Sequence, residues 1–144
     1  MKMEQAQIGI KVDRLQRPEN RDQLRLWVEK YLHLHLGKQA VCEGHHVPLD
    51  YLEYVFFEKE EGDDNGRDAV IWACRGGGKT IIGAAATLLD LLFKPGVQVR
   101  ILGGSREQSE KMYTYLCDMV QRQFADLVHG KVTRHGLRLT NGSA

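Results

Sequence analysis

Long hydrophobic runs are missing from this 144-residue chain. A membrane-spanning helix needs ~20 apolar residues in succession, so such a span is excluded and no membrane partner is expected. The first residues are polar and lack the apolar stretch of a secretory signal. Cysteine is sparse. Three residues, an odd count, argue against a disulfide framework and for a reducing compartment. Internal repeats and low-complexity segments are absent as well. Wholesale disorder is excluded from the other direction, because 42% of the residues are hydrophobic and can build a core. The length fits one domain, at about 100–200 residues each.

Net charge is also low, at +1, but its distribution is uneven. Residues 48–68 hold eight acids against two bases, and residues 94–144 hold eight bases against four acids. A basic C-terminal third is compatible with nucleic acid nearby. An ordinary solvated surface accounts for the same pattern.

Three prolines punctuate the chain. The polar segment 1–19 reads as irregular and contains Pro18. Asn20, with Gln23 three residues later, predicts a capped helix. Leu24, Trp27, Val28 and Tyr31 follow at helical spacing, and the helix is expected to stop near Gly37. Pro48 suits the first turn of a second helix, with Asp50 at its positive end and Leu52, Val55 and Phe56 on its apolar face. The charged run 58–68 reads as a solvated loop. Ala69–Ala73 then predicts a short buried strand, Thr80–Phe93 a helix ended by Pro95-Gly96, and Val97–Leu102 a second strand. Ser105 caps a long helix expected to reach about Val128, and 131–133 and 137–140 read as two further short strands. Strand, helix, strand, helix in succession predicts an α/β fold with parallel strands and right-handed crossovers.

Between the first strand and its helix lies Ala73-Cys74-Arg75-Gly76-Gly77-Gly78-Lys79-Thr80. The phosphate-binding loop pattern is G-x-x-x-x-G-K-[ST]. Gly78, Lys79 and Thr80 match it, and Ala73 stands where the first glycine is usual. Glycines let backbone N–H groups converge on phosphate oxygens without a side-chain clash. The helix start adds partial positive charge. Lys79 would reach the β- and γ-phosphates of ATP, and Thr80 would place a hydroxyl on Mg²⁺. Arg75 adds a second charge beside the phosphates or points to solvent. A Gly-rich turn without a ligand is the plainer reading.

Residues 72–80 resemble the variant Walker A motif of phage terminase large subunits, the ATPases of DNA-packaging motors. Three other segments agree in order and spacing. Val41–Pro48 followed by an aromatic-rich helix resembles the stretch ahead of the loop in one terminase group. Leu102–Ser109 resembles the strand-to-helix segment after it, and Leu137–Ser143 resembles a strand presenting an Asn-Gly-Ser turn. The resemblance covers residues 38–144 and leaves 1–37 as a separate N-terminal segment and helix. It implies an incomplete P-loop core with a parallel sheet preceded by two helices. It also implies ATP hydrolysis coupled to movement of double-stranded DNA in the complete protein and a location in the host cytoplasm. A portal protein, a small terminase subunit and further copies of the chain are the implied partners.

One part of that machinery is missing from the sequence. A P-loop ATPase uses an apolar strand ending in Asp to hold Mg²⁺, and Leu88-Leu89-Asp90 and Leu116-Cys117-Asp118 both fall inside predicted helices. The chain therefore reads as the first part of an ATPase domain: a fragment, a truncated reading frame or a deliberately expressed piece. Little or no turnover is expected from it alone. A helicase-like translocase, a nucleotide kinase, and a non-catalytic nucleotide- or partner-binding module are the alternatives. An incomplete sheet would also leave an open edge and favour self-association.

Ser105, Arg106 and Gln108, at a helix start, form a corner suited to nucleic-acid phosphate. A capped helix with an exposed Arg is the plainer reading. His33, His35, Cys42, His45 and His46 fall within 14 positions, but their spacing is not that of a zinc site. A polar loop with a buried Cys accounts for them. The family resemblance places His46 and Pro48 on the adenine side of the nucleotide. Met112, Tyr115, Met119 and Val120 read as core, Cys74 as incidental and Asn141-Gly142 as a hairpin turn.

Overall fold

The computed structural model describes residues 12–57 and 68–144. The first eleven residues and most of the charged run 58–68 lie outside the described residues. Among the described residues four α-helices make up the framework: α1 Arg21–Trp27, α2 Pro48–Phe56, α3 Lys79–Phe93 and α4 Arg106–Gln123.

Local sequence explains where each helix starts. The Asn20 side chain accepts the Gln23 N–H at 3.0 Å, as its position predicts. Gln23 reaches back one residue further than in a regular capping box, to the Glu19 N–H at 2.9 Å. At α2, the Asp50 carboxylate accepts the Val47 N–H at 2.9 Å, beside Pro48 in the first turn. At α4, the Ser105 hydroxyl accepts the Gln108 N–H at 3.4 Å. The helix ends differ from expectation. α1 widens into a π-helical turn, Val28–Leu32, and stops at His33, whose φ of 55° is left-handed. α4 ends at Gln123, short of Val128, and a 3₁₀ turn, Ala125–Leu127, follows.

The predicted parallel sheet is absent. Of the described residues 46% are helical and only 2% are in strand, and the one bridge among them is antiparallel, Val128 to Leu139. The α/β P-loop architecture is therefore overturned. Ala69–Ala73, expected to be a buried strand, lies exposed, with Val70 at 90% and Trp72 at 96%. A strand needs a second edge to satisfy its backbone, and Ala69–Trp72 hydrogen-bond to no other described segment. Val97–Leu102 pairs only at its start, where the Val99 N–H donates to the Ala144 carbonyl and the Ala144 N–H to that of Val97. The segments 131–133 and 137–140 form no strand pair: Thr133 closes a turn onto the Gly136 carbonyl at 3.0 Å, and 138–140 bonds 127–129 instead, through His129 N–H to Arg138 O and Thr140 N–H to Leu127 O, both at 2.8 Å.

Hydrophobic burial holds the helices together around α3. Ile82, Ala84, Ala85, Leu88, Leu89 and Leu91 are buried, so this helix is apolar on nearly every side, as a central helix must be. Its small residues allow close approach: a Cβ at Gly83 would lie 3.3 Å from Met112 of α4. Trp27 of α1 stacks on Phe124 at 5.7 Å and meets the edge of Phe93 at 5.5 Å. Phe56 of α2 meets Phe93 at 6.0 Å. One core thus joins the N-terminal helix to residues 38–144. Met119 and Val120 are buried and Met112 and Tyr115 pack at the core edge, in line with the helical spacing.

Two polar devices fasten this core. Arg14 donates to the Gln123 carbonyl at 2.7 Å and to both oxygens of Asp126, and its own carbonyl accepts the Trp27 indole N–H at 3.1 Å. Asn141 donates to the carbonyls of Leu91 and Leu92, at 2.8 and 3.3 Å, and so caps the C-terminal end of α3.

Candidate functional site

The Gly-rich loop runs directly into α3. Gly76 and Gly78 have φ of 83° and 78°, a region that glycine enters without strain. Gly78 occupies the N-cap position, and the first helical bond runs from the Ile82 N–H to its carbonyl at 3.0 Å. The N–H groups of Gly78, Lys79, Thr80 and Ile81 make no backbone hydrogen bond. They are the orphan donors of a helix start, and with the helix dipole they favour an anion. Gly77 closes the turn by donating to the Cys74 carbonyl at 3.2 Å.

Lys79 folds back over this loop. Its ammonium donates to the carbonyls of Ala73 and Cys74, both at 2.7 Å. An ammonium has three donors, so one is left over. The positive charge is therefore held at the loop, and binding a phosphate would require these two bonds to be exchanged. Cys74, Arg75, Gly76 and Gly77 are exposed, and Gly78, Lys79 and Thr80 are half-buried. The loop is anchored on the helix side alone, because the segment ahead of it packs into no sheet.

The remaining predicted residues are not gathered around the loop by any hydrogen bond. Pro48 opens α2, and His46 lies 3.4 Å from Asp50 with its ring 89% exposed. Arg106 donates to Glu110 at 2.7 Å, one turn along α4, while Ser105 is occupied by its capping bond. The histidine cluster is dispersed. His33 lies 3.5 Å from Gln123, and among the described residues no group of three His, Cys, Asp or Glu side chains could hold a metal. Cys42, expected to be buried, is exposed.

Among the described residues a concavity lies away from the loop. A groove of about 400 Å³ runs between Val99–Leu102, α4 and the turn 134–137. No residue of the Gly-rich loop lines it. Its rim carries Arg100, Arg106 and Arg134 around one carboxylate, Glu110, which Arg134 reaches at 3.3 Å. The hydrogen bond from Arg106, with the charges of Arg106 and Arg134, holds that carboxyl below its ordinary value against the opposing effect of desolvation. Nothing in the sequence assembled this groove beyond the surplus of bases after residue 94. Asn141 was legible as a turn residue, and its oxygen does accept the Ser143 N–H at 3.1 Å. Its capping of α3, 50 positions away, was not.

No family model, curated protein or solved structure matches the chain. Among the described residues, no helix is long and apolar enough to cross a membrane.

Proposed function

We propose that the chain binds the phosphates of a nucleoside triphosphate, ATP by resemblance, at Cys74–Thr80. The observation that carries this reading is the left-handed Gly78 leading straight into Lys79-Thr80, with free N–H groups and an ammonium at one helix start. Lys79 leaves the Ala73 and Cys74 carbonyls for the β- and γ-phosphates, and Arg75 adds charge from the exposed side. Thr80 offers a hydroxyl to Mg²⁺. Mg²⁺ prefers octahedral oxygen ligands and keeps several waters, so it would arrive with the triphosphate and use this one protein oxygen.

The likeness of the loop and its flanking segments to terminase large subunits extends the reading to the ATP-binding part of a DNA-packaging motor in the host cytoplasm. Double-stranded DNA, a portal protein, a small terminase subunit and further copies would be its partners. The sheet of that family supplies no support here. The absence of an Asp-ended apolar strand favours a second reading for the chain alone, a nucleotide-binding module with negligible turnover. Ser105, Arg106 and Gln108 belong to the DNA side of the first reading, and His46 and Pro48 to the adenine side.

Titration of the chain with a fluorescent ATP analogue, with and without Mg²⁺, tests the proposal. Lys79→Ala should weaken binding at least ~10-fold, the scale of one lost charge-assisted hydrogen bond. It should leave the helical circular dichroism intact. Wild-type protein that fails to bind, or a variant that binds equally well, would overturn it. Robust ATP turnover abolished by Lys79→Ala would overturn the module reading alone.

A further inference from the structure

Two stretches of backbone are left without partners, and their chemistry is complementary. Ala69–Trp72 makes no hydrogen bond among the described residues, and its Val70 and Trp72 side chains stand in water. Asp68, also exposed, precedes it. The backbone N–H groups of Arg100, Ile101 and Leu102 are likewise unbonded, and this run forms one wall of the groove. Leu91, Leu116 and Leu137 supply apolar lining, while Arg100, Arg106 and Arg134 outnumber Glu110 at the rim. An occupant suited to this groove has apolar side chains, free backbone donors and acceptors, and a negative charge. Ala69–Trp72 has the apolar side chains and the free backbone, Asp68 ahead of it has the charge, and none of these residues lines its own chain's groove.

We infer that a second copy of the chain lays its Asp68–Ala73 segment into this groove, adding a strand along Arg100–Leu102 with Asp68 toward the arginines. This is strand addition to an open edge. One short strand buries less than the ~1,000 Å² of a stable interface, so reciprocal exchange, which doubles the contact and closes as a twofold dimer, is the form expected. No residue of the phosphate loop lines the groove, and the inserted segment ends at Ala73, where the loop begins, so the inference is read from oligomeric state rather than from nucleotide binding.

Sedimentation equilibrium of the full chain tests it, together with tryptophan emission. Trp27 is buried and Trp72 is 96% exposed, so subtracting the spectrum of Trp72→Phe isolates Trp72. The expected result is a shift from monomer to dimer mass with rising concentration, and a blue shift of Trp72 that follows the same curve. Val70→Asp should hold the chain monomeric with unchanged helix content, because Val70 is 90% exposed in the single chain. Arg134→Glu should weaken association about two- to fivefold, the range of one partly exposed charge pair, and Asp68→Arg should restore part of it. A monomer at every concentration would overturn the inference. So would a dimer that survives Val70→Asp, or a blue-shifted Trp72 at monomer mass, which would place the segment on its own chain.

Discussion

Trp27 and Trp72 mark opposite extremes of the molecule. Trp27 is fully buried, ringed by Tyr31, Phe93 and Phe124, and its indole N–H is satisfied by the Arg14 carbonyl. Trp72 sits in an equally apolar stretch of sequence and touches nothing comparable. The difference lies in where each residue's partners come from. Trp27 is on a helix whose backbone bonds are internal, so it needs only a face to pack on. Trp72 is in a segment whose backbone would have to bond to a second strand. A short apolar run gains little from burial until that edge exists. The phosphate loop inherits this asymmetry, since it is fixed by α3 behind it and by no strand ahead of it.

Substituting the two residues in turn gives the sharpest measure of the contrast. Trp27→Ala should cost about 3–5 kcal/mol of unfolding free energy, as expected for a large aromatic removed from a core. Trp72→Ala should change stability by less than about 0.5 kcal/mol, as for a surface site. Urea denaturation followed by circular dichroism reads both. A large loss from Trp72→Ala would show that its segment is packed in solution and would end the comparison.

Helix positions were legible because their determinants are local. Asn20, Pro48 and Ser105 each begin a helix at or next to the predicted place, through bonds made within four residues. The same reading failed for the sheet, because β-branched residues at 97–102 and an apolar run at 69–73 show that a strand could form, not that an edge is available. The loop was legible as a motif, and its left-handed Gly78 before Lys79 fits that motif. The groove was not legible: Arg106 and Glu110 are neighbours one turn apart on α4, but Arg100 and Arg134 reach them only through the tertiary fold.

The two ends of α3 extend the comparison with smaller effects. At the N-terminal end, Gly78→Ala places a Cβ on a backbone at φ 78°. That should cost about 1–2 kcal/mol and weaken phosphate binding at the same time. At the C-terminal end, Asn141→Ala removes the donor to Leu91 and Leu92, for about 0.5–1.5 kcal/mol, with nucleotide binding untouched. Equal effects of the two substitutions on binding would show that the loop responds to the stability of α3 as a whole rather than to its own geometry.

The smallest effect concerns the contact of α1 with α2. Arg21 bonds Asp50 at 2.5 Å and also reaches Glu53. Burial acts to raise the Asp50 pKa, but hydrogen bonds from Arg21 and from the Val47 N–H, with the charge of Arg21, bring it below the ordinary value. A carboxyl whose folded pKa is depressed stabilises the fold above its unfolded pKa of about 3.9. That contribution is lost as pH falls through the lower folded value. Unfolding free energy should therefore be level in this respect above about pH 5 and decline below pH 4. Asp50→Asn should remove this part of the decline and cost no more than about 1 kcal/mol at neutral pH, the scale of a partly exposed pair. If the acid limb is as steep in Asp50→Asn as in the parent, the Asp50 charge does not hold α1 against α2, and the Arg21–Glu53 pair and the buried aromatic contacts set their packing.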